Sequence, residues 1–352
     1  MDLLICCVLW LVFTLFCVMA LSFNSGGRRK HLPPGPRPYP VIGNLLELGG
    51  KPHKSLAKLA KTHGPIMSLR LGLVTTVVVS SPSTAKAILK EHDSLSCDRK
   101  VPESILSQPY RHHEFSLVWL PVSTLWRIRN SMPVKTFGAR KSEMIDTKHI
   151  KHLFADLLIA GNDTASITME WAMAELLHNP EALSKVKLEL EQTVGKGNPI
   201  EESDITRLPY LQAVIKETFR LHPTVPLLVP RKVSEDIEIE GFVVPKGAQV
   251  FVNVWAIGRD ESIWDNPHSF MPERFLGSDV EFKGQHFELI PFGAGRRICP
   301  GLPLAIRMLY LMLGSLINSF DWKLENEDMD MEEKFGLTIK KAQPLRTIPI
   351  AI

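Results

Sequence analysis

The chain opens on a nearly all-apolar run, Leu3 to Phe23, about the length of one bilayer span. Arg28, Arg29 and Lys30 follow it and only Asp2 precedes it. The positive-inside rule then keeps the basic cluster cytoplasmic and turns the N-terminus to the lumen. A cleaved signal peptide is the rival reading; it needs a basic leader and a shorter apolar core, and neither is present. Residues 1–25 are expected to be a transmembrane anchor. The pattern then breaks into His31-Leu32-Pro33-Pro34-Gly35-Pro36-Arg37-Pro38-Tyr39-Pro40. Prolines fix φ, so this run predicts a semi-rigid spacer. The apolar Val41 to Leu45 predicts that the spacer docks onto the body rather than hanging free. Residues 26–45 are therefore read as a basic, proline-rich hinge, and 46–352 as one domain.

Within that domain the spacing predicts a helix over 53–62, ended by Gly64-Pro65. Ile66 to Val79 predicts two strands around Gly72, and Ser83 to Lys90 a short helix. The longest helical pattern runs from Asp146, a candidate N-cap, to His178, where Asn179-Pro180 stops it. Apolar residues recur there at three- and four-residue steps, over a length of roughly 48 Å. Further helices are predicted at 181–193, 210–221 and 302–320, the last apolar nearly all round and so buried. Asp236–Ile239 and Val250–Val254 alternate as strands joined through Pro245-Lys246-Gly247.

Composition narrows the class. The chain has 352 residues, 45% hydrophobic, with a formal net charge of +3. Its 41 basic residues are nearly matched by 38 acids, which argues against a nucleic-acid partner. Of five cysteines, Cys6, Cys7 and Cys17 lie in the apolar run, leaving Cys97 and Cys299; no disulfide framework is expected.

Three segments carry candidate chemistry. The first is Pro291-Phe292-Gly293-Ala294-Gly295-Arg296-Arg297-Ile298-Cys299-Pro300-Gly301. Its glycines permit tight turns and close approach to a flat ligand. A lone cysteine is usually an inert core residue. Here Arg296, Arg297, loop amides and a helix N-terminus can hold a thiolate. The second is Lys216-Glu217-Thr218-Phe219-Arg220, with Glu217 and Arg220 on one helical face. Alone this is an ordinary ion pair. The third is Ala160-Gly161-Asn162-Asp163-Thr164 inside the long helix. It is either a close packing point or a bend where Thr164 bonds back to a carbonyl.

Together, in this order, these segments resemble the cytochrome P450 family. Phe292-Gly293-x-Gly295-x-Arg297-x-Cys299-x-Gly301 resembles its heme-binding loop. Glu217-x-x-Arg220 and Pro272-Glu273-Arg274-Phe275 resemble its E-x-x-R and P-E-R-F elements, and Ala160 to Thr164 its oxygen-binding groove. The resemblance is finest toward the plant microsomal branch that includes geraniol 8-hydroxylase-like enzymes. It implies a mainly α fold with a small β region. It implies heme b (iron protoporphyrin IX) with Cys299 as the iron ligand and Phe292 beside the sulfur. Arg297, Arg231 and Trp126 would face the propionates, with Gly293, Gly295 and Gly301 shaping the loop. Gly161, Asp163 and Thr164 would be catalytic, handling O₂ and protons, and Glu217, Arg220 and Arg274 would form a buried network behind the loop. Leu227, Leu228, Val229 and the Leu337-Thr338 region would line the substrate pocket.

The implied activity is insertion of one oxygen atom into a C–H bond of a small apolar substrate, such as the monoterpenoid alcohol geraniol. Electrons would come from NADPH through a membrane-bound cytochrome P450 reductase meeting Arg296, Arg297 and Arg307. The chain would sit in the endoplasmic reticulum membrane by a single span, its catalytic domain cytosolic and in contact with membrane lipid. A heme-thiolate isomerase or dehydratase is the rival enzyme, and Thr164 argues against it. One departure stands out. The family's W-R-x-x-R helix corresponds to Trp126-Arg127-Ile128-Arg129-Asn130, where Arg129 falls one residue early, a shift of about 100° around a helix. Several family helices belong between there and the long helix, so the fold is expected to be truncated, with a deletion around 130–149. The alternative function is therefore a catalytically impaired or inactive heme-binding remnant.

Overall fold

The computed structural model describes residues 2–24, 31–107, 111–123, 126–127, 147–325 and 328–352. Arg28 to Lys30, Arg129, the Asp146 cap and most of the expected deletion site lie outside the described residues. Helix α1 (Asp2–Asn24) presents Ile5, Trp10 and Phe16 outward. The proline run docks, as its apolar tail implies. Ser68 donates its amide to the Pro34 carbonyl (2.8 Å) and its hydroxyl to that of Pro33 (2.6 Å). Val243 donates to the His31 carbonyl (2.7 Å), and buried Asn44 pairs with the Arg70 backbone in both directions.

Helix α2 (Leu45–Leu48) leads into α3 (Pro52–His63). Strands β1 (Ile66–Leu71) and β2 (Val74–Val79) then pair antiparallel about the Gly72 turn. Ser81 caps α4 (Pro82–Lys86), accepting from the Thr84 amide while the Thr84 hydroxyl bonds back to the Ser81 amide. The chain continues as a π-helical turn, Ala87–Glu91, into α5 (Asp93–Ser96) and, after a loop, α6 (Glu103–Leu106). Helix α7 (Thr147–His178) is the long central helix. Helices α8 (Pro180–Thr193) and α9 (Pro209–Leu221) follow, each with proline in the first turn, where its missing N–H costs nothing.

The main sheet has the order β1-β2-β6-β3, where β3 is Arg231–Lys232 and β6 is Gln249–Val252. The expected hairpin between 236–239 and 250–254 is not formed. Strand β4 (Ile237–Ile239) pairs instead with β5 (Phe242–Val244). The tight turn between them sits at Glu240 (φ 51°) and Gly241 (φ 79°), both left-handed, as a two-residue hairpin requires. That releases β6 to run parallel to β2. A short helix, α10 (Val254–Ile257), and α11 (Leu302–Ser319) follow. The C-terminal end adds β7 (Phe320–Leu324), β8 (Glu333–Lys334), β9 (Lys340–Lys341) and β10 (Thr347–Ala351).

The largest core lies among α7, α8, α9 and α11, and a second packs the sheet against α4 and the π turn. Helix α11 departs from its expected all-round burial. Leu309, Leu313 and Ile317 are buried, while Leu304, Met308 and Met312 form an exposed apolar stripe. Helix α7, in contact with α11, is also split. Its C-terminal half, Ile167 to Leu176, is mostly buried, whereas Phe154, Leu157, Leu158 and Ile159 stay exposed. Among the described residues, α11 is the one helix long and apolar enough to cross a membrane by length and composition; its buried face belongs to the domain core.

Candidate functional site

Cys299 ends a loop whose bends need glycine. Gly293 and Gly295 adopt φ of 70° and 69°, the left-handed region that side chains resist. A Cβ at Gly295 would stand 2.0 Å from the Leu89 carbonyl oxygen, so the loop apex presses on the π turn. The Cys299 amide closes the bend by donating to the Phe292 carbonyl (3.0 Å). Phe292 meets Phe219 of α9 edge to face at 5.2 Å, joining the loop to the E-x-x-R helix. Burial raises the Cys299 thiol pKa and outweighs the downward pull of the Gly301 and Leu302 amides at the start of α11. Those two donors are what a thiolate there requires.

Three arginines, Arg231 and Arg297 buried and Arg99 half-buried, gather beside the loop. Arg231 donates to Asp93 (2.9 Å) and to the Ala294 carbonyl (2.9 Å). Arg297 donates to the carbonyls of Cys97 (2.9 Å), Leu117 (3.2 Å) and Leu120, and its guanidinium lies 4.9 Å over the Trp126 ring. The third, Arg99, was not anticipated. It bonds the Val229 and Pro230 carbonyls, and its Nε is buried without a partner. Burial, then repulsion from Arg231 and Arg297, drives the Arg99 pKa well down; burial also lowers those of Arg231 and Arg297. Packed cations of this kind favour an anionic ligand. Nothing in Cys97-Asp98-Arg99-Lys100 distinguishes Arg99 from an exposed charged loop until the fold folds it inward.

The donor set suits the cofactor that the resemblance implies: a thiol with amides behind it for iron, and clustered guanidinium groups for two carboxylates. Trp126 is less open to a propionate than expected, because its indole N–H already donates to the Leu117 carbonyl (3.0 Å). Leu228 holds a left-handed φ of 50°, uncommon for a bulky residue, and would touch a Cβ at Gly293 at 3.6 Å. Leu337, assigned to the substrate pocket, is 91% exposed.

The Glu217–Arg220 pair is fully buried, and Arg274 joins it from a half-buried position. Glu217 accepts from Arg220 Nε and Nη2 (both 2.7 Å), Arg274 Nε (3.1 Å) and the Met271 amide (2.8 Å). Arg220 also donates to the carbonyls of Gly258, Pro267 and Ser269, while the Arg274 bond ties α9 to the P-E-R-F turn. The groove residues stand apart on α7. Thr164 donates to the Ala160 carbonyl (2.7 Å), Gly161 and Asp163 are exposed, and no hydrogen bond joins any of them to the cysteine loop. The first turns of α7 are held by Asp156, which accepts from Ser116 (3.0 Å) and the Leu117 amide (2.7 Å) and pairs with His112 (2.8 Å).

The cytochrome P450 family model matches residues 33–147 and 135–346. Geraniol 8-hydroxylase of Catharanthus roseus is 40% identical over 487 aligned positions, covering 97% of this chain and 98% of the relative. Drimenol monooxygenase of Persicaria hydropiper is 37% identical over 478 positions, covering 94% and 95%. A zebrafish cytochrome P450 solved with abiraterone superposes with a TM-score of 0.70 at 22% identity, covering 86% of this chain and 100% of that one, a likeness of fold. Similarity of this extent reaches both sides of the loop, the network and the groove, and on it the chain belongs to the cytochrome P450 family, as one of its monooxygenases.

Proposed function

We propose that this chain binds heme b through Cys299 and descends from enzymes that oxidise a C–H bond of a small apolar molecule, a terpenoid alcohol of the geraniol type. The convergence of Arg99, Arg231 and Arg297 on the cysteine loop carries the reading. Those guanidinium groups would face the two propionates, Arg99 with its unpartnered Nε, and the Gly301 and Leu302 amides would hold the Cys299 sulfur as thiolate. Bound heme supplies the oxygen-activating redox chemistry, with electrons from NADPH through a reductase. On the chain's side, Thr164 Oγ1 holds a proton toward the Ala160 carbonyl, and the exposed Asp163 carboxylate can relay one from solvent. The apolar α1 supports anchoring in the endoplasmic reticulum membrane, and exposed Arg296 and Arg307 fit an acidic reductase face.

A second reading bears on activity. The alignment to the Catharanthus enzyme spans 487 positions against the chain's 352 residues, which supports the reading that a stretch is missing here. Helices α7 and α11 each carry an exposed apolar stripe, as expected where covering helices are missing. A pocket without those helices admits water, and water exclusion is what prevents wasteful side reactions. The chain is thus proposed to bind heme while oxidising substrate poorly. The reduced, carbon-monoxide-bound spectrum tests the first part: the long-wavelength thiolate band should appear and vanish in Cys299→Ala. A band that survives that substitution overturns the assignment. Reductase-supported turnover of geraniol tests the second: NADPH consumption should far exceed product, and tight coupling refutes the open pocket.

A further inference from the structure

The loop's hold on its surroundings converges on one carboxylate that the family motifs do not include. Asp93 opens α5, directly after the π turn, and is 8% exposed. One oxygen accepts from Arg231 Nη1 (2.9 Å). The other accepts from the Arg296 amide (2.8 Å), with Arg296 Nε 3.7 Å away. Arg231, so held, donates its second terminal nitrogen to the Ala294 carbonyl (2.9 Å). Between those two bonds lies Gly295, seated on the Leu89 carbonyl of the preceding turn. Three consecutive residues of the loop are therefore fixed from one direction by the Asp93–Arg231 pair. Cys299 follows three residues after Arg296.

We infer that Asp93 is a positioning residue for the cysteine ligand, clamping Ala294, Gly295 and Arg296 to the α5 corner jointly with Arg231. It touches neither sulfur nor ligand; it acts through the loop. The pair has a double role. Arg231 is 4% exposed, and without Asp93 its guanidinium would be buried with only the Ala294 carbonyl as partner. The corner carrying Asp93 is itself braced: the Ser96 hydroxyl donates to the Ile88 carbonyl (2.6 Å), and the Ser234 amide to that of Leu95 (2.8 Å). A clamp on a braced corner resists the loop movement that would carry sulfur off the iron.

The test compares the full chain with Asp93→Asn, Arg231→Gln and the double variant. Asparagine keeps an acceptor for the Arg296 amide but removes the charge facing Arg231. The spectroscopic arm rests on the heme reading. In it, the reduced carbon-monoxide adduct of Asp93→Asn should pass from the thiolate form to the short-wavelength form about tenfold faster than the parent, from the loss of a charge-assisted hydrogen bond. Heme content at the start should match the parent, a split that a general folding defect does not give. A rate within about twofold of the parent overturns the clamp. The second arm needs no heme. Asp93→Asn should lower the urea midpoint, and adding Arg231→Gln should recover at least about half of the loss by removing the stranded charge. Losses that simply add overturn the pairing. If Asp93→Asn yields no soluble protein, recovery by the double variant supports the clamp and failure to recover overturns it. A parent chain without the thiolate band defeats the heme assignment and leaves the urea cycle to decide Asp93.

Discussion

Replacing Glu217 by alanine should be among the most damaging single changes in the domain. Glu217 is 0% exposed and Arg220 1% exposed. The carboxylate accepts four hydrogen bonds, three of them from guanidinium groups. Its removal leaves Arg220 with only the carbonyls of Gly258, Pro267 and Ser269 for a full buried charge. Breaking one partner of such a pair costs about 3–5 kcal/mol. A domain stable by about 5–15 kcal/mol would lose a large share of its margin. With a urea slope of about 3 kcal/mol/M, the midpoint should fall by about 1–2 M. Trp264 lies 5.5 Å below Arg220 and 5.9 Å below Arg274, so indole fluorescence reports on the network. Glu217→Gln keeps an oxygen and should cost less. Glu217→Ala combined with Arg220→Met should recover part of the loss, since apolar replacement of a whole buried pair is often tolerated. A cost below about 1 kcal/mol for Glu217→Ala, the value of a surface pair, would refute the argument.

Three further outcomes follow from the geometry. Gly295→Ala should yield folded protein with little thiolate-ligated heme, because its Cβ would meet the Leu89 carbonyl at 2.0 Å, whereas Gly301→Ala, 3.7 Å from Cys299 Sγ, should keep the unfolding midpoint of the parent; equal behaviour of the two by spectrum and urea titration contradicts this. Burial pushes the Glu333 pKa up, but hydrogen bonds from His53 and Lys54 outweigh it and hold the group at about 2. Its contribution is present above the ordinary carboxylate range near 4.5 and is lost as pH falls toward 2, so Glu333→Gln should flatten the acid limb of a stability-against-pH curve. Leu158→Gln should change stability by no more than about 0.5 kcal/mol, because the side chain is 68% exposed, and a loss above about 2 kcal/mol would show that the stripe is covered.

Much of this architecture could be read from the chain alone. Local signals were strongest where one residue type has one physical use. Gly72 marks the first hairpin, Asn179-Pro180 ends α7, and the β-branched run Thr75 to Val79 marks a strand. The β4–β5 hairpin was missed because Glu240, a residue that disfavours positive φ, takes the first turn position, and the proline-lysine-glycine turn downstream looked stronger. The apolar stripe of α11 was misread because composition cannot say whether a covering helix exists. At the site, Cys299, Arg297 and the Glu217 network were legible through a linear motif. Arg99 and Asp93 were not, because their partners lie far along the chain: Val229 and Pro230 for one, Arg231 and Arg296 for the other. Such pairing follows from the parallel β2–β6 crossover and carries no local signature.

The docked proline run has a mechanical consequence. The carbonyls of His31, Pro33 and Pro34 accept from the body, so its handle is a fixed point on the β1 edge instead of a free tail. Only residues 25–30 separate that point from the end of α1. Fully stretched, six residues reach about 20 Å. Whatever grips α1 therefore holds the domain on a leash shorter than its own long helix.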